Sequence, residues 1–94
     1  MFKPITPVSL NSNTFTPIVV PAYESLRTFI TQCDSDIDVD LSDNMSGGTI
    51  FTMKSGTSLK FSLKPFINDG DINFTLFYAK SASSTPKIQV IQIN

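Results

Sequence analysis

Five of the ten consecutive residues 34–43, DSDIDVDLSD, are aspartates. Carboxylates at that density could coordinate calcium, serve as paired acids and bases in catalysis, or line the solvent-facing side of a β-strand. An EF-hand loop needs a glycine at its sixth position and a bidentate glutamate at its twelfth. Counted from Asp34, these positions hold Val39 and Met45, and counting from Asp36 fails in the same way. The spacing therefore argues against a calcium loop.

Alternation of acidic and apolar residues separates the two remaining interpretations. Carboxylates that work as acid and base need different environments on opposite sides of a cleft, whereas aspartates on one strand face share one environment. The stretch therefore predicts a strand with an acidic outer face, which pairs with Lys60 and Lys64 on a neighbouring strand, meets a partner, or contacts only solvent. The outer residues would be Asp36, Asp38 and Asp40, and the inner ones Ile37, Val39 and Leu41.

The length, net charge and composition of the chain restrict its possible functions further. Its 94 residues suffice for one domain, and a formal net charge of −1 supplies no basic field for nucleic acid. The chain has no histidine, the usual general base near neutral pH and a common metal ligand. We therefore expect a non-enzymatic protein with no catalytic residues, no metal and no cofactor.

Cellular location is also constrained by the sequence. No apolar run approaches the roughly 18 residues of a membrane span, so no membrane partner is expected. The N-terminal MFKPITPVSL has prolines where a signal peptide needs an apolar stretch. The lone cysteine, Cys33, is interpreted as a small buried apolar residue of a protein made in a reducing cytosol.

The composition favours strands over helices throughout. Isoleucine, valine and threonine number 25 together, against three alanines and one glutamate, and β-branched residues suit a pleated surface. Alternation and turn residues predict seven strands, with turns of the Lys54-Ser55-Gly56 kind between them. The predicted strands are 15–20, 26–32, 36–41, 49–53, 58–64, 71–79 and 87–93.

Seven short strands predict a small antiparallel β-sandwich, with a small β-barrel as the alternative. The last strand changes phase between Ile88/Val90 and Ile91/Ile93, which indicates a bulge or burial on both faces. Residues 1–14 carry two prolines and show no regular period, so they are predicted to be an extended N-terminal arm, separate from a sandwich domain at 15–94.

Apolar residues outside the inward-facing sets are the candidates for a partner interface. Eight phenylalanines and two tyrosines exceed the obvious needs of one small core, and aromatic residues are enriched at protein interfaces. For Phe66 and Phe77, ordinary packing is an equal alternative. The candidate interface residues are Phe2, Ile5, Val8, Leu10, Phe66 and Phe77.

Three segments together resemble a recurrent type of small bacteriophage virion protein. They are RTFITQCDSDIDVDLSD, GGTIFTMKSGTSLKFSL and GDINFTLFYAKSASSTPKIQVIQ, and the resemblance covers about residues 24–92. It rests on an Arg-led apolar strand, glycine turns and a final alternating strand. The sequence departs from the pattern in a lengthened sixth strand and an extra FINDG loop.

This resemblance implies a structural β-sandwich that binds the outside of a capsid as a decoration or cement protein. Its partners would be the major capsid protein or other virion proteins, self-association is considered as well, and its location would be the virion, assembled in the host cytoplasm. A tail, neck or fibre position is the alternative. A carbohydrate-binding sandwich ranks lower, because sugars usually stack on aromatic rings and the chain has no tryptophan and only Tyr23 and Tyr78.

Overall fold

Eight β-strands make up the regular structure of the residues that are described. The computed structural model describes residues 3–23, 25–44, 48–64 and 73–93. Within these ranges no helix is long and apolar enough to cross a lipid bilayer. The strands are β1 (Lys3–Ser9), β2 (Thr16–Pro21), β3 (Arg27–Cys33), β4 (Val39–Ser42), β5 (Phe51–Met53), β6 (Ser58–Leu63), β7 (Asn73–Ser81) and β8 (Lys87–Gln92).

The strands form two four-stranded antiparallel sheets. Sheet A has the order β1-β8-β3-β6, and sheet B has the order β2-β7-β4-β5. The first strand thus pairs with the last, the second with the seventh, the third with the sixth and the fourth with the fifth. Such nested pairing, rolled into two facing sheets, is the arrangement of an eight-stranded jelly roll.

The fold class predicted from the sequence is confirmed, because two antiparallel sheets pack face to face as a β-sandwich. Each of the seven predicted strands is present, with ends displaced by at most three residues. The turn at residues 54–56 is also present, and Gly56 adopts φ +75° there, a conformation that glycine reaches without steric cost.

The predicted N-terminal arm is wrong for the residues that the structure describes. Lys3–Ser9 forms β1, an edge strand of sheet A that pairs with β8, with a register shift between Ile5 and Val8. Leu10 follows it into the core at 1% exposure. Prolines are tolerated in an edge strand when the missing N–H faces outward, so Pro4 and Pro7 do not prevent the pairing.

The core lies between the sheets and is built from the alternate residues of each strand. In β3 the buried ring of Phe29 stacks on Phe61 of β6 at 5.8 Å between centroids. In β8 the alternation continues without a break, while Ile91 on the opposite face is half-buried. The phase change predicted for this strand therefore reflects burial on both faces. The buried apolar core contains Leu10, Phe15, Ile18, Val20, Phe29, Val39, Leu41, Met53, Ala79, Ile88 and Val90.

Candidate functional site

The aspartates of residues 34–43 do not form one row. Strand β4 begins only at Val39, so the prediction that three aspartates line one strand face is wrong. The chain bends just before this strand, where the Ile37 amide donates to the Ser35 carbonyl at 2.9 Å. Among the described residues, no group of three or more acidic, cysteine or histidine side chains could hold a metal ion.

Instead, individual carboxylates bind different parts of the backbone. Asp34 accepts a hydrogen bond from the Lys87 amide at 2.9 Å through Oδ1, and its own amide donates to the Lys87 carbonyl at 2.9 Å. This exchange joins the end of β3 to the start of β8. An Asp or Asn side chain at a strand end commonly satisfies a backbone donor in this way. Asp34 therefore has a structural role.

Asp38 holds the turn between β5 and β6. Its Oδ1 accepts a hydrogen bond from the Ser55 amide at 2.8 Å, and its Oδ2 lies 3.5 Å from the Lys54 ammonium. The Ser55 hydrogen bond lowers the pKa of the Asp38 carboxyl, partial burial opposes that shift, and the Lys54 charge adds to the lowering. The ionised form of Asp38 is thus the one that fits this turn.

Acid should weaken this contact, and replacing Asp38 with asparagine should remove that response. Because the pKa of Asp38 is lowered in the folded protein, the stabilisation is present above the unfolded-state pKa, near 4, and is lost as the pH falls through the folded-state pKa. In Asp38→Asn an amide oxygen can still accept from Ser55 but does not titrate. We expect the free energy of unfolding, measured by urea denaturation, to fall less between neutral and acidic pH in this variant.

Asp43→Asn is the matched control, because it also removes one negative charge but leaves the contacts of Asp38 with Ser55 and Lys54 in place. Asp43 accepts a hydrogen bond through Oδ1 from the side-chain amide of the adjacent Asn44 at 2.9 Å. The control should keep the acid response of the wild type. Equal acid responses in Asp38→Asn and the wild type would contradict the assignment of this contact.

Asp40 has different neighbours from those predicted. It lies in β4 and accepts a hydrogen bond from the Thr52 hydroxyl at 3.0 Å, and its cross-strand neighbour on β7 is Lys80. Of the alternatives left open for the acidic residues, cross-strand pairing with Lys60 and Lys64 does not occur, because β6 belongs to sheet A whereas β4 belongs to sheet B. The acidic stretch thus stabilises loops and strand ends.

The predicted interface residues lie in different environments. Leu10, a candidate interface residue, is instead buried in the core at 1% exposure. Ile5 and Val8 are partly buried against the core. Phe77 is half-buried, with its ring edge-on to Phe61 at 6.1 Å. Phe2 and Phe66 lie outside the described residues.

Cys33, predicted to be a small buried apolar residue, is only half-buried and packs against the core. It is the last residue of β3. A thiol at that position contributes as a small apolar group to the packing at the strand end.

Two concave surfaces stand out in the described part of the molecule. The first, here called the sheet A groove, has a volume of about 340 Å³ and lies on the outer face of sheet A. Its centre is a cross-strand row in which Pro4 of β1, Ile91 of β8 and Ile30 of β3 are neighbours. The groove is lined by Pro4, Ile5, Pro7, Ile30, Gln32, Gln89, Val90 and Ile91.

The second surface, here called the edge cleft, also has a volume of about 340 Å³ and opens between the sheets beside β5 and β6. Its lining is almost entirely apolar. At its rim Ile50 is 66% exposed and Phe51 is 51% exposed. The cleft is lined by Leu41, Ser42, Asp43, Ile50, Phe51, Leu59, Phe61, Leu63, Leu76 and Phe77.

Sequence patterns alone missed most of both surfaces. The signal for the sheet A groove was present in the apolar outer residue Ile91, which broke the alternation of β8. The signal for the edge cleft was the adjacent pair Ile50 and Phe51, because two consecutive large apolar residues in a strand cannot both face one core. Neither signal identifies which strands become neighbours.

Comparison with known proteins finds neither a matching family model nor a matching curated protein.

Proposed function

We propose that this chain is a structural protein of a bacteriophage virion that decorates and stabilises the capsid shell. The observation that carries the proposal is the jelly-roll order of its eight strands, an arrangement shared by viral capsid domains and also by lectins and cupins. Because one fold serves many functions, the choice among these rests on the surfaces of this chain. The resemblance of residues 24–92 to small virion proteins favours the capsid.

The sheet A groove is the surface through which the chain would contact the major capsid protein. It joins an apolar centre, with Ile30 and Ile91 side by side, to the amide side chains of Gln32 and Gln89. An apolar centre with polar groups near it is the usual composition of a protein–protein interface. Host cytoplasm would be the site of assembly, and the finished particle its location.

A carbohydrate site is less well supported by the aromatic residues. Sugars stack on an open aromatic face, but the Arg27 guanidinium lies over the Tyr23 ring, 4.5 Å from its centroid. The other tyrosine, Tyr78, is only half-exposed within β7. Neither ring therefore presents the open platform that this alternative needs.

The test is binding of the purified chain to capsids of the phage whose genome encodes it. Ile91→Lys places a charge in the centre of the sheet A groove and should weaken binding by at least about tenfold, since a buried charge without a partner is costly in an interface. Val19→Lys is the matched control, because Val19 is 37% exposed on β2 of the other sheet. Circular dichroism verifies that both variants fold.

Quantitative mass spectrometry of the purified particle gives the copy number. A ratio to the major capsid protein near a simple fraction supports shell decoration. A few copies per particle support the tail, neck or fibre alternative, and complete absence contradicts a virion role. Equal binding of the two lysine variants would contradict the assignment of the groove.

A further inference from the structure

The four sheet edges of the sandwich differ in their capacity to bind another strand. The edge strands β1 and β2 carry two prolines each, Pro4 and Pro7 in one and Pro17 and Pro21 in the other. Proline lacks the N–H donor of a ladder and is a common protection of sheet edges. The edge strands β5 and β6 contain no proline. They lie on either side of the edge cleft.

Strand β6 is the longer of these two unprotected edges, with six residues against three in β5. Its side chains alternate strictly between half-buried and exposed. Leu59, Phe61 and Leu63 point into the edge cleft, while Lys60 and Ser62 face outward. A strand added beside β6 would therefore extend sheet A and cover the cleft with its own alternate side chains.

The direction of the backbone groups of β6 follows from its neighbour β3. The Ile93 amide donates to the Thr28 carbonyl at 2.9 Å, so Thr28 directs its backbone groups toward β8. Antiparallel strands alternate these directions residue by residue, and Phe29 therefore faces β6, opposite Phe61. It follows that Lys60 and Ser62 direct their N–H and C=O groups away from β3, toward the open edge.

We infer that β6 pairs with β6 of a second copy of this chain, antiparallel about a two-fold axis at Phe61. In this register Lys60 of each copy lies opposite Ser62 of the other, and both residues have the backbone groups that the new ladder needs. Leu59 lies opposite Leu63, and the two edge clefts join into one apolar interior. A shift of the axis to Lys60 or Ser62 would place lysines opposite each other, which is unfavourable.

Charge and side-chain pattern favour β6 of a second copy over every other described strand as the partner of β6. The partner strand must have a free edge, must lack proline over about six residues, and must supply apolar side chains at alternate positions without facing lysine with lysine. Among the described strands, β3, β4, β7 and β8 have neighbours on both sides, β1 and β2 carry prolines, and β5 is too short. Of the strands that the structure describes, β6 alone meets every condition.

The experiment measures mass against concentration by sedimentation equilibrium of the full chain, whose monomer mass is 10.3 kDa. We expect the mass to rise toward twice this value. Lys60→Pro removes a donor at the open edge without touching the ladder to β3, and should raise the dimer dissociation constant by at least about tenfold. Lys60→Ala, which keeps the donor, should dimerise at least as well as the wild type.

A pair of charge variants tests the register itself. Ser62→Lys places like charges opposite Lys60 and should weaken the dimer, whereas Ser62→Glu places opposite charges there and should tighten it, with both effects reduced by salt. Both variants lose the hydrogen bond between the Ser62 and Thr28 hydroxyls equally. The inference is overturned if the mass stays at that of one chain at every concentration. It is also overturned if neither Lys60→Pro nor the two Ser62 charge variants change the dimer dissociation constant. It concerns the purified chain alone and does not depend on any particle.

Discussion

Leu10→Ala is expected to lower the free energy of unfolding by about 2–5 kcal/mol, the range for removing a buried leucine side chain. Leu10 is 1% exposed and belongs to the main core cluster. Its amide also donates to the Pro86 carbonyl at 2.8 Å, which fixes the backbone so that the core cannot easily collapse into the cavity. Small domains have about 5–15 kcal/mol of stability in total, so the loss would be a large fraction. Urea denaturation measures it.

Val19→Ala is the control for this substitution, because Val19 is 37% exposed on the outside of β2. Its effect should stay below about 1 kcal/mol. Deletion of residues 1–10 extends the same test, since it removes β1 from the edge of sheet A together with Leu10, and should leave a chain without cooperative unfolding. A truncated chain as stable as the wild type would instead support the extended arm that the sequence predicted.

Phe29→Ala should have the second large effect, about 3–5 kcal/mol of lost stability. Phe29 is fully buried in β3, which has neighbours on both sides, and its ring stacks on Phe61. The cavity would lie at the centre of sheet A, where the surrounding ladders hold the backbone in place.

Phe51→Ala removes the same number of atoms from a ring that is 51% exposed at the rim of the edge cleft. We expect a loss below about 1.5 kcal/mol, because little surface returns to water. Both variants should be compared by urea denaturation at a protein concentration at which the wild type is a monomer. Similar losses in the two variants would mean that the core is not centred on Phe29.

The all-β class and seven of the strands could be predicted because each strand carries its own alternation. Strand β1 was missed for a physical reason. Proline favours extended geometry and lacks a donor, so Pro4 and Pro7 suited a free arm as well as an edge strand. Only the position of β8 beside it, more than 75 residues along the chain, decides between the two, and no local pattern contains that information.

The aspartates are a second case in which the local pattern did not determine the structure. Alternation from Asp36 to Leu41 satisfies the strand pattern, but Asp38 finds a better partner in the Ser55 amide, and the regular strand begins one residue later. A side chain that accepts a hydrogen bond from another loop overrides local periodicity. The sequence left pairing with Lys60 open as one alternative, because a residue pattern does not assign strands to sheets. The edge cleft could not be predicted either, since it exists only where two sheet edges meet.

The position of β8 between β1 and β3 has a consequence for synthesis on the ribosome. Sheet A lacks one of its two inner strands until residues 87–92 have emerged, so β1 and the β3–β6 pair remain separate until then. Nearly all the strand pairings join distant parts of the chain, a topology that folds slowly. The nascent chain therefore carries open strand edges, at which chaperones or other nascent chains can bind, until β8 is synthesised.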